Sequence, residues 1–204
     1  MANSLTSLRR WRRRVRSERG ASAVEFALVV IPLITIVYAI IEGGFLMRDS
    51  LSVGNSVQEA ARQGSLSGPE PDADYKILDR LERNLLMPTS DVRKVVVFRA
   101  RTPTDAPDPA CLSGVGTPAA GRECNVYGPS DFARPKSDFS CSGGGSGVDV
   151  GWCPKDRHDS GQSFDATDLL GVYVEVEHDY VTGFFGNSLT IERQSIVPLE
   201  RVRS

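Results

Sequence analysis

Few residues in this chain are of a type that does chemistry, and most of those stand in company that prevents it. His158, Asp159 and Ser160 have the side chains of a hydrolytic triad, yet they are adjacent in sequence, whereas a general base and its nucleophile must meet from separate places in a fold. His178-Asp179 closes an alternating stretch and reads as the start of a turn. Gly143 to Gly147 precedes no helical pattern and lacks the lysine-serine end of a phosphate-cradling loop. Cys111, Cys124, Cys141 and Cys153 have no pair at the close spacing of a zinc knuckle, and neither histidine lies near a suitable partner. No catalytic grouping, metal or cofactor is expected. What remains is a single carboxylate, Glu25, at the mouth of an apolar run from Phe26 to Ile41 that contains no charge. An acid at the edge of such a run is costly unless something pairs with it.

The segment before that acid is strongly basic. Residues 1–20 hold seven arginines against Glu18, a net +6 that leaves −8 on the remainder of a chain whose formal charge is −2. A basic block of this kind belongs to a nucleic-acid arm or to the cytoplasmic flank of a membrane helix, and its position directly before the apolar run favours the flank. No nucleic-acid partner is expected. At about 1.5 Å per residue, Phe26 to Ile41 makes roughly 24 Å of helix, short of a full ~30 Å span. Adding Ala21 to Val24 and Gly43 to Met47 completes it, at the expense of including Glu25 and Glu42. The positive flank places the N-terminus inside and all that follows Ile41 outside, in a single-pass protein of the cytoplasmic (inner) membrane. All four cysteines then fall on the outer side, where an oxidising compartment permits disulfides. Of the three possible connectivities, Cys111 with Cys124 and Cys141 with Cys153 is favoured, because short loops close most readily.

The elements that position these residues are legible in outline. Residues 1–20 read as a solvated cytoplasmic leader. A helix is expected from Ala21 through Pro32 and on past the membrane, where Phe45, Leu46, Leu51, Val53, Val57, Ala60 and Ala61 interleave with polar residues. Gly64, followed by Gly68-Pro69, ends it, giving about 65 Å of helix if straight. A second helix is predicted over 72–86 with an apolar stripe of Ile77, Leu78, Leu81, Leu85 and Leu86, then a strand over 92–100. Residues 102–165, rich in proline and glycine and holding every cysteine, read as an irregular insertion tethered by disulfides. Strands follow at 171–180 and 188–198, joined by the apolar turn Gly183-Phe184-Phe185-Gly186-Asn187, whose aromatics either anchor a partner or fold back on the sheet. The expected fold is α+β: a long N-terminal transmembrane helix (21–66) after the leader (1–20), then a small extracytoplasmic domain (67–204) with a three-stranded, mainly antiparallel sheet covered by the helix at 45–63.

Gly20, then Ala21-Ser22-Ala23-Val24, then Glu25-Phe26 resembles the processing motif of type IV pilin-like proteins: a glycine before the cut, a glutamate fifth in the mature chain and an aromatic beside it. The wider stretch from Arg19 to Pro32, with Glu42-Gly43-Gly44 and Glu59-Ala60-Ala61-Arg62-Gln63-Gly64, is similar to TadE-like proteins, minor pilins or pseudopilins of the tight-adherence (Flp) pilus and secretion system. The resemblance is confined to residues 19–64, and the cysteine-bearing insertion departs from it. It implies cleavage by a prepilin peptidase between Gly20 and Ala21, with Glu25 and Phe26 acting in assembly. The partners it implies are the peptidase, other pilin or pseudopilin subunits and tight-adherence membrane components, beside membrane lipid; it implies no enzyme.

Three other readings compete with it. A cleaved secretory signal fits poorly, since Pro32 and flanking glutamates interrupt the pattern and no small-x-small site follows closely. An unprocessed signal-anchored protein is a further possibility. An anchored binding or sensing domain, its ligand held by the insertion, is the alternative from another functional class; it requires Gly20 and Glu25 to tolerate substitution.

Overall fold

In a computed structural model the protein is described over residues 3–88, 91–113, 123–139, 141, 147–159, 167–183 and 185–200, with the backbone alone for 3–19. The chain divides into two compact units, Met1–Phe45 and Leu46–Ser204.

Helix α1 runs Asn3–Ser67, so the basic leader has a helical backbone instead of the unstructured one its charge implies. Arginine, leucine and alanine are strong helix formers, and propagation from an existing helix avoids the cost of nucleation. From Val24 to Met47 the large apolar side chains face outward, Val24 at 61% exposure and Ile40 at 70%. An apolar stretch of this length would be buried in a water-soluble core; here no residue of the most apolar window is.

The second unit begins with about the last six turns of α1, from Leu46 to Ser67. Val53, Val57, Ala60 and Ala61 form a buried stripe at helical spacing. Gly64 does not end the helix. A Cβ there would stand 2.4 Å from Leu170 Cδ2 and 2.6 Å from Ile77 Cδ1, so its missing side chain lets α1 approach both neighbours. Termination comes four residues later at Gly68, whose φ of 50° suits glycine and whose N–H bonds the Gly64 carbonyl at 3.0 Å.

Helix α2, Ala73–Asn84, packs Ile77, Leu78 and Leu81 into the same core. Its backbone turns extended at Leu85, which stays buried, while Leu86 leaves the predicted stripe and is 63% exposed.

The sheet has four strands in the order β2-β1-β3-β4, all neighbours antiparallel: β1 is Val92–Ala100, β2 Cys124–Tyr127, β3 Leu169–Asp179 and β4 Ser188–Pro198. The fourth strand comes from the stretch expected to be irregular; Cys124 to Tyr127 pairs with Phe98 to Val95. That stretch also holds a short helix α3, Pro109–Leu112, started by Asp108, whose side chain accepts from the Ala110 N–H at 2.8 Å.

One sheet face, with Val95, Val97, Val172, Val174, Val176 and Ile191, lies against α1 and α2. The opposite face is wet only in part. Val96, Phe98, Ala100, Val126 and Tyr173 form a second, smaller core there with Cys111 and Cys124, and Tyr173, predicted to be on the wet side, is only 7% exposed. Two disulfides, Cys111–Cys124 and Cys141–Cys153, hold the insertion, the first fastening α3 to β2.

Candidate functional site

The segment Gly20 to Phe26 lies on α1 with every side chain exposed, Phe26 at 69%. Ala21 and Glu25 are four residues apart, one helical turn, hence on the same face roughly 6 Å apart along the axis. Among the described residues Glu25 has no ion pair or hydrogen bond. A Cβ added at Gly20 meets no atom within 4 Å. Packing inside this chain therefore does not require glycine there; what glycine contributes is a weak point, about 1 kcal/mol less helix-forming than alanine.

The other residues singled out by type do not converge on this segment or on one another. The His158 N–H donates to Asp168 Oδ2 at 2.9 Å, and its ring stands 3.5 Å from the same atom, so the histidine serves to fasten a loop; Ser160 lies outside the described residues. His178 Nδ1 is 2.8 Å from Asp49 Oδ2 on α1, and the ring is 4% exposed. The pair joins strand to helix. The Gly143–Gly145 run lies outside the described residues. Among the described residues no group of histidines, cysteines and acids has the arrangement of a metal site. A hollow of about 460 Å³ is bordered by Arg99, Glu123 and Asp168. Arg99 holds both acids at 2.6 Å, and with Arg101 also on the rim the cations match the acids in number.

The most connected polar group among the described residues was not singled out from sequence. Asp74, Asn125, Tyr127, Asp149 and Arg157 are all buried, at 0 to 1% exposure. Arg157 Nη1 lies 2.7 Å from Asp74 Oδ1, and Nη2 donates to Asp74 Oδ2 at 2.9 Å, a two-pronged grip across 83 positions of sequence. The guanidinium stacks on Trp152, its Cζ 4.4 Å from the ring centre. Asn125 Nδ2 donates to Asp74 Oδ2 and to the Trp152 carbonyl, while its Oδ1 accepts the N–H groups of Gly151 and Trp152.

The Tyr127 hydroxyl stands 2.7 Å from Asp74 Oδ2 and 2.7 Å from Asp149 Oδ1. One phenolic proton cannot serve two carboxylates, so one acid must carry its own. Burial, and then the charge of Asp74, push the Asp149 carboxyl up to about 7, which makes Asp149 the acid that donates to the phenol while the phenol donates to Asp74. Burial and the same two acids raise the Tyr127 hydroxyl far above its ordinary range, keeping it a donor. Sealed from solvent, the cluster meets no substrate; it fixes the insertion to α2 and β2. One signal was present in the sequence: Asp74 precedes Ile77 and Leu78 by three and four positions, which puts an acid on an apolar stripe. Asp149 and Arg157 sit where no periodicity exists to mark them.

No curated protein and no solved structure matches the chain. One family model does match, over residues 20–62, beginning at the glycine of the proposed cut and ending two residues before Gly64. The apolar exposed helix, the lone exposed acid and that match coincide on one segment, residues 20–62, which is similar to TadE-like proteins.

Proposed function

We propose that the protein is a TadE-like minor pilin or pseudopilin of a tight-adherence (Flp) type IV pilus or secretion system, cut by a prepilin peptidase between Gly20 and Ala21. The observation that carries the reading is Glu25: exposed, without a partner among the described residues, and one turn beyond the peptide bond in question. Cleavage removes the seven leader arginines and creates an α-amine on Ala21. That amine, or the amine of a neighbouring subunit, pairs with Glu25. An isolated acid at a helix centre costs about 2.5 to 3.5 kcal/mol on insertion scales, less near the edge, and pairing on assembly offsets it. The polar contact also fixes the register in which neighbouring helices lie side by side.

In this reading α1 crosses the inner membrane with its N-terminus in the cytoplasm, the disulfide-bonded unit stands outside, and the protein is structural and not an enzyme. Its partners are the peptidase, other pilin or pseudopilin subunits and tight-adherence membrane components. Intact-mass spectrometry of protein extracted from membranes of cells with an active prepilin peptidase tests the reading. A mature N-terminus at Ala21 is the expected result; a chain that keeps residues 1–20 in such cells refutes it.

A further inference from the structure

Residues 147–152 of the insertion belong to no helix or strand, yet they are fastened to the fold. The Val148 N–H donates to the Asp138 carbonyl at 3.3 Å, and the Gly151 and Trp152 N–H groups donate to Asn125 Oδ1 on β2 at 3.0 and 2.8 Å. The Trp152 ring lies in the main core, with Val148 packed at its border. The next residue, Cys153, is tied to Cys141. None of these contacts contains a group that gains or loses a proton near neutral pH. One further contact does: the bond between the Asp149 carboxyl, fully buried, and the Tyr127 hydroxyl.

Counting donors shows where the extra proton sits. Asp74 receives Arg157, Asn125 and Tyr127, whereas among the described residues Asp149 meets the phenol alone, its Oδ2 buried without a partner. The acid poorer in donors is the one that must be neutral. The charged and titratable groups facing it are Asp74 on α2, Tyr127 on β2 and Arg157 further along its own stretch. Arg157 is held by Asp74 through both nitrogens of its fork, so it is not free to serve as counter-ion to a second acid. Burial and the Asp74 charge accordingly hold the Asp149 carboxyl up to about 7. Ionised in place, Asp149 would leave two buried carboxylates sharing one phenolic proton.

We propose that the Asp149 proton works as a latch: while it is present residues 147–152 lie closed on Asn125 and Tyr127, and its loss lets that segment lift off with the rest of the fold intact. The opening is local because no strand ladder runs through the segment, and the Cys141–Cys153 bridge and the Arg157–Asp74 pair hold the chain just beyond it. The way out is short, since Val150, next to Asp149, is already 43% exposed. Once Asp149 has left, the Tyr127 hydroxyl keeps Asp74 as its acceptor, and water admitted by the opening reaches Asn125 Oδ1. The closed state binds the proton more tightly than the open one. Closing is therefore fully favoured below about pH 4, weakens tenfold per unit as the pH rises to about 7 and is constant above that. The unit Leu46–Ser204 thus presents one surface in acid and another in alkali, whatever the role of the apolar part of α1.

Hydrogen exchange of the full chain in detergent micelles, resolved by residue and corrected for the intrinsic pH dependence of exchange, tests this. The reporters are the amides of Val148, Gly151 and Trp152; the reference is Val174, buried in β3 with a paired strand on either side. Protection at the reporters should be weaker than at Val174 and should fall about tenfold per pH unit from pH 5 to pH 7, with far-ultraviolet circular dichroism unchanged. Asp149→Asn, which carries a donor at every pH, should keep at pH 8 the protection that the parent shows at pH 5. Reporters that exchange only as slowly as Val174 at every pH overturn the inference, since the segment then opens only when the whole unit unfolds. Reporter protection that is the same at pH 5 and pH 7 also overturns it. A pH response that persists in Asp149→Asn overturns it by assigning the response to another group. The parent's own profile needs no variant, so the first two outcomes decide the matter even if Asp149→Asn fails to fold.

Discussion

Arg157 and Asp74 form an ion pair at 2.7 Å with both side chains fully buried, and through it the disulfide-bearing insertion is locked to α2. Beside the arginine, Asp74 Oδ2 also accepts from Asn125 Nδ2 and from the Tyr127 hydroxyl, which helps the pair to survive burial. Arg157→Ala strands the carboxylate in the core and should cost about 3 to 5 kcal/mol. Urea unfolding in detergent, followed by near-ultraviolet circular dichroism, measures it. Trp152 emission should also shift to the red as the stacked guanidinium is lost. Arg157→Lys should recover little, since an ammonium cannot grip both oxygens.

Asp149 makes stability depend on pH in a direction opposite to that of an ordinary paired acid. Its carboxyl is held up to about 7 in the fold against 3.8 unfolded, so between those values the folded state binds more protons than the unfolded one. Stability should therefore fall as pH rises from about 4 to about 7 and level off above. Asp149→Asn supplies a donor to the Tyr127 oxygen at every pH and should flatten that slope, leaving the variant more stable than the parent at pH 8 by about 2 kcal/mol. Thermal unfolding at pH 5 and pH 8 of both proteins checks the sign.

The second core, on the far face of the sheet, depends on a missing side chain. A Cβ at Gly171 would stand 2.3 Å from Phe98 Cζ and 2.4 Å from its Cε1, inside the volume of the ring. Gly171→Ala should destabilise by about 1 to 3 kcal/mol, the usual cost of overpacking. Adding Phe98→Leu should recover part of the loss, and the double-mutant cycle should show favourable coupling, whereas Phe98→Leu alone is destabilising.

The Cys141–Cys153 bridge closes a separation of 12 residues in a stretch with little regular structure. Replacing both cysteines by serine should lower stability by about 3 kcal/mol on the chain-entropy account. Since Asp149, Trp152 and Arg157 lie on or beside that loop, the same variant should loosen the buried network and weaken hydrogen-exchange protection at Asn125 and Tyr127.

At the proposed cut, the variants separate processing from folding. Gly20→Ala meets no neighbour and stiffens the helix, so circular dichroism should be unchanged or slightly more helical while conversion to the mature mass slows or stops. Glu25→Ala should leave the outer unit equally stable to urea and abolish pilus assembly. Normal assembly by Glu25→Ala would remove the pairing role given to that residue.

The sequence by itself determined the features that rest on local order and on solvent. A run without charge behind an arginine block can only be stable against lipid or in a core, and periodicity of three and four is enough to draw α1, α2 and the stripe of Val53, Val57, Ala60 and Ala61. The Gly20 to Phe26 segment was equally legible, because its signal is contiguous. The tertiary structure alone decided what depends on contacts between distant positions. It turned Gly64 from a helix stop into a point of close approach to Leu170, drew Cys124 to Tyr127 out of an apparently irregular stretch to pair with β1, and covered Tyr173 with a second core. It also gathered Asp74, Tyr127, Asp149 and Arg157 into one buried group. Hydrogen-bond geometry and desolvation act between side chains that fold topology brings together, and no spacing along the chain encodes that meeting.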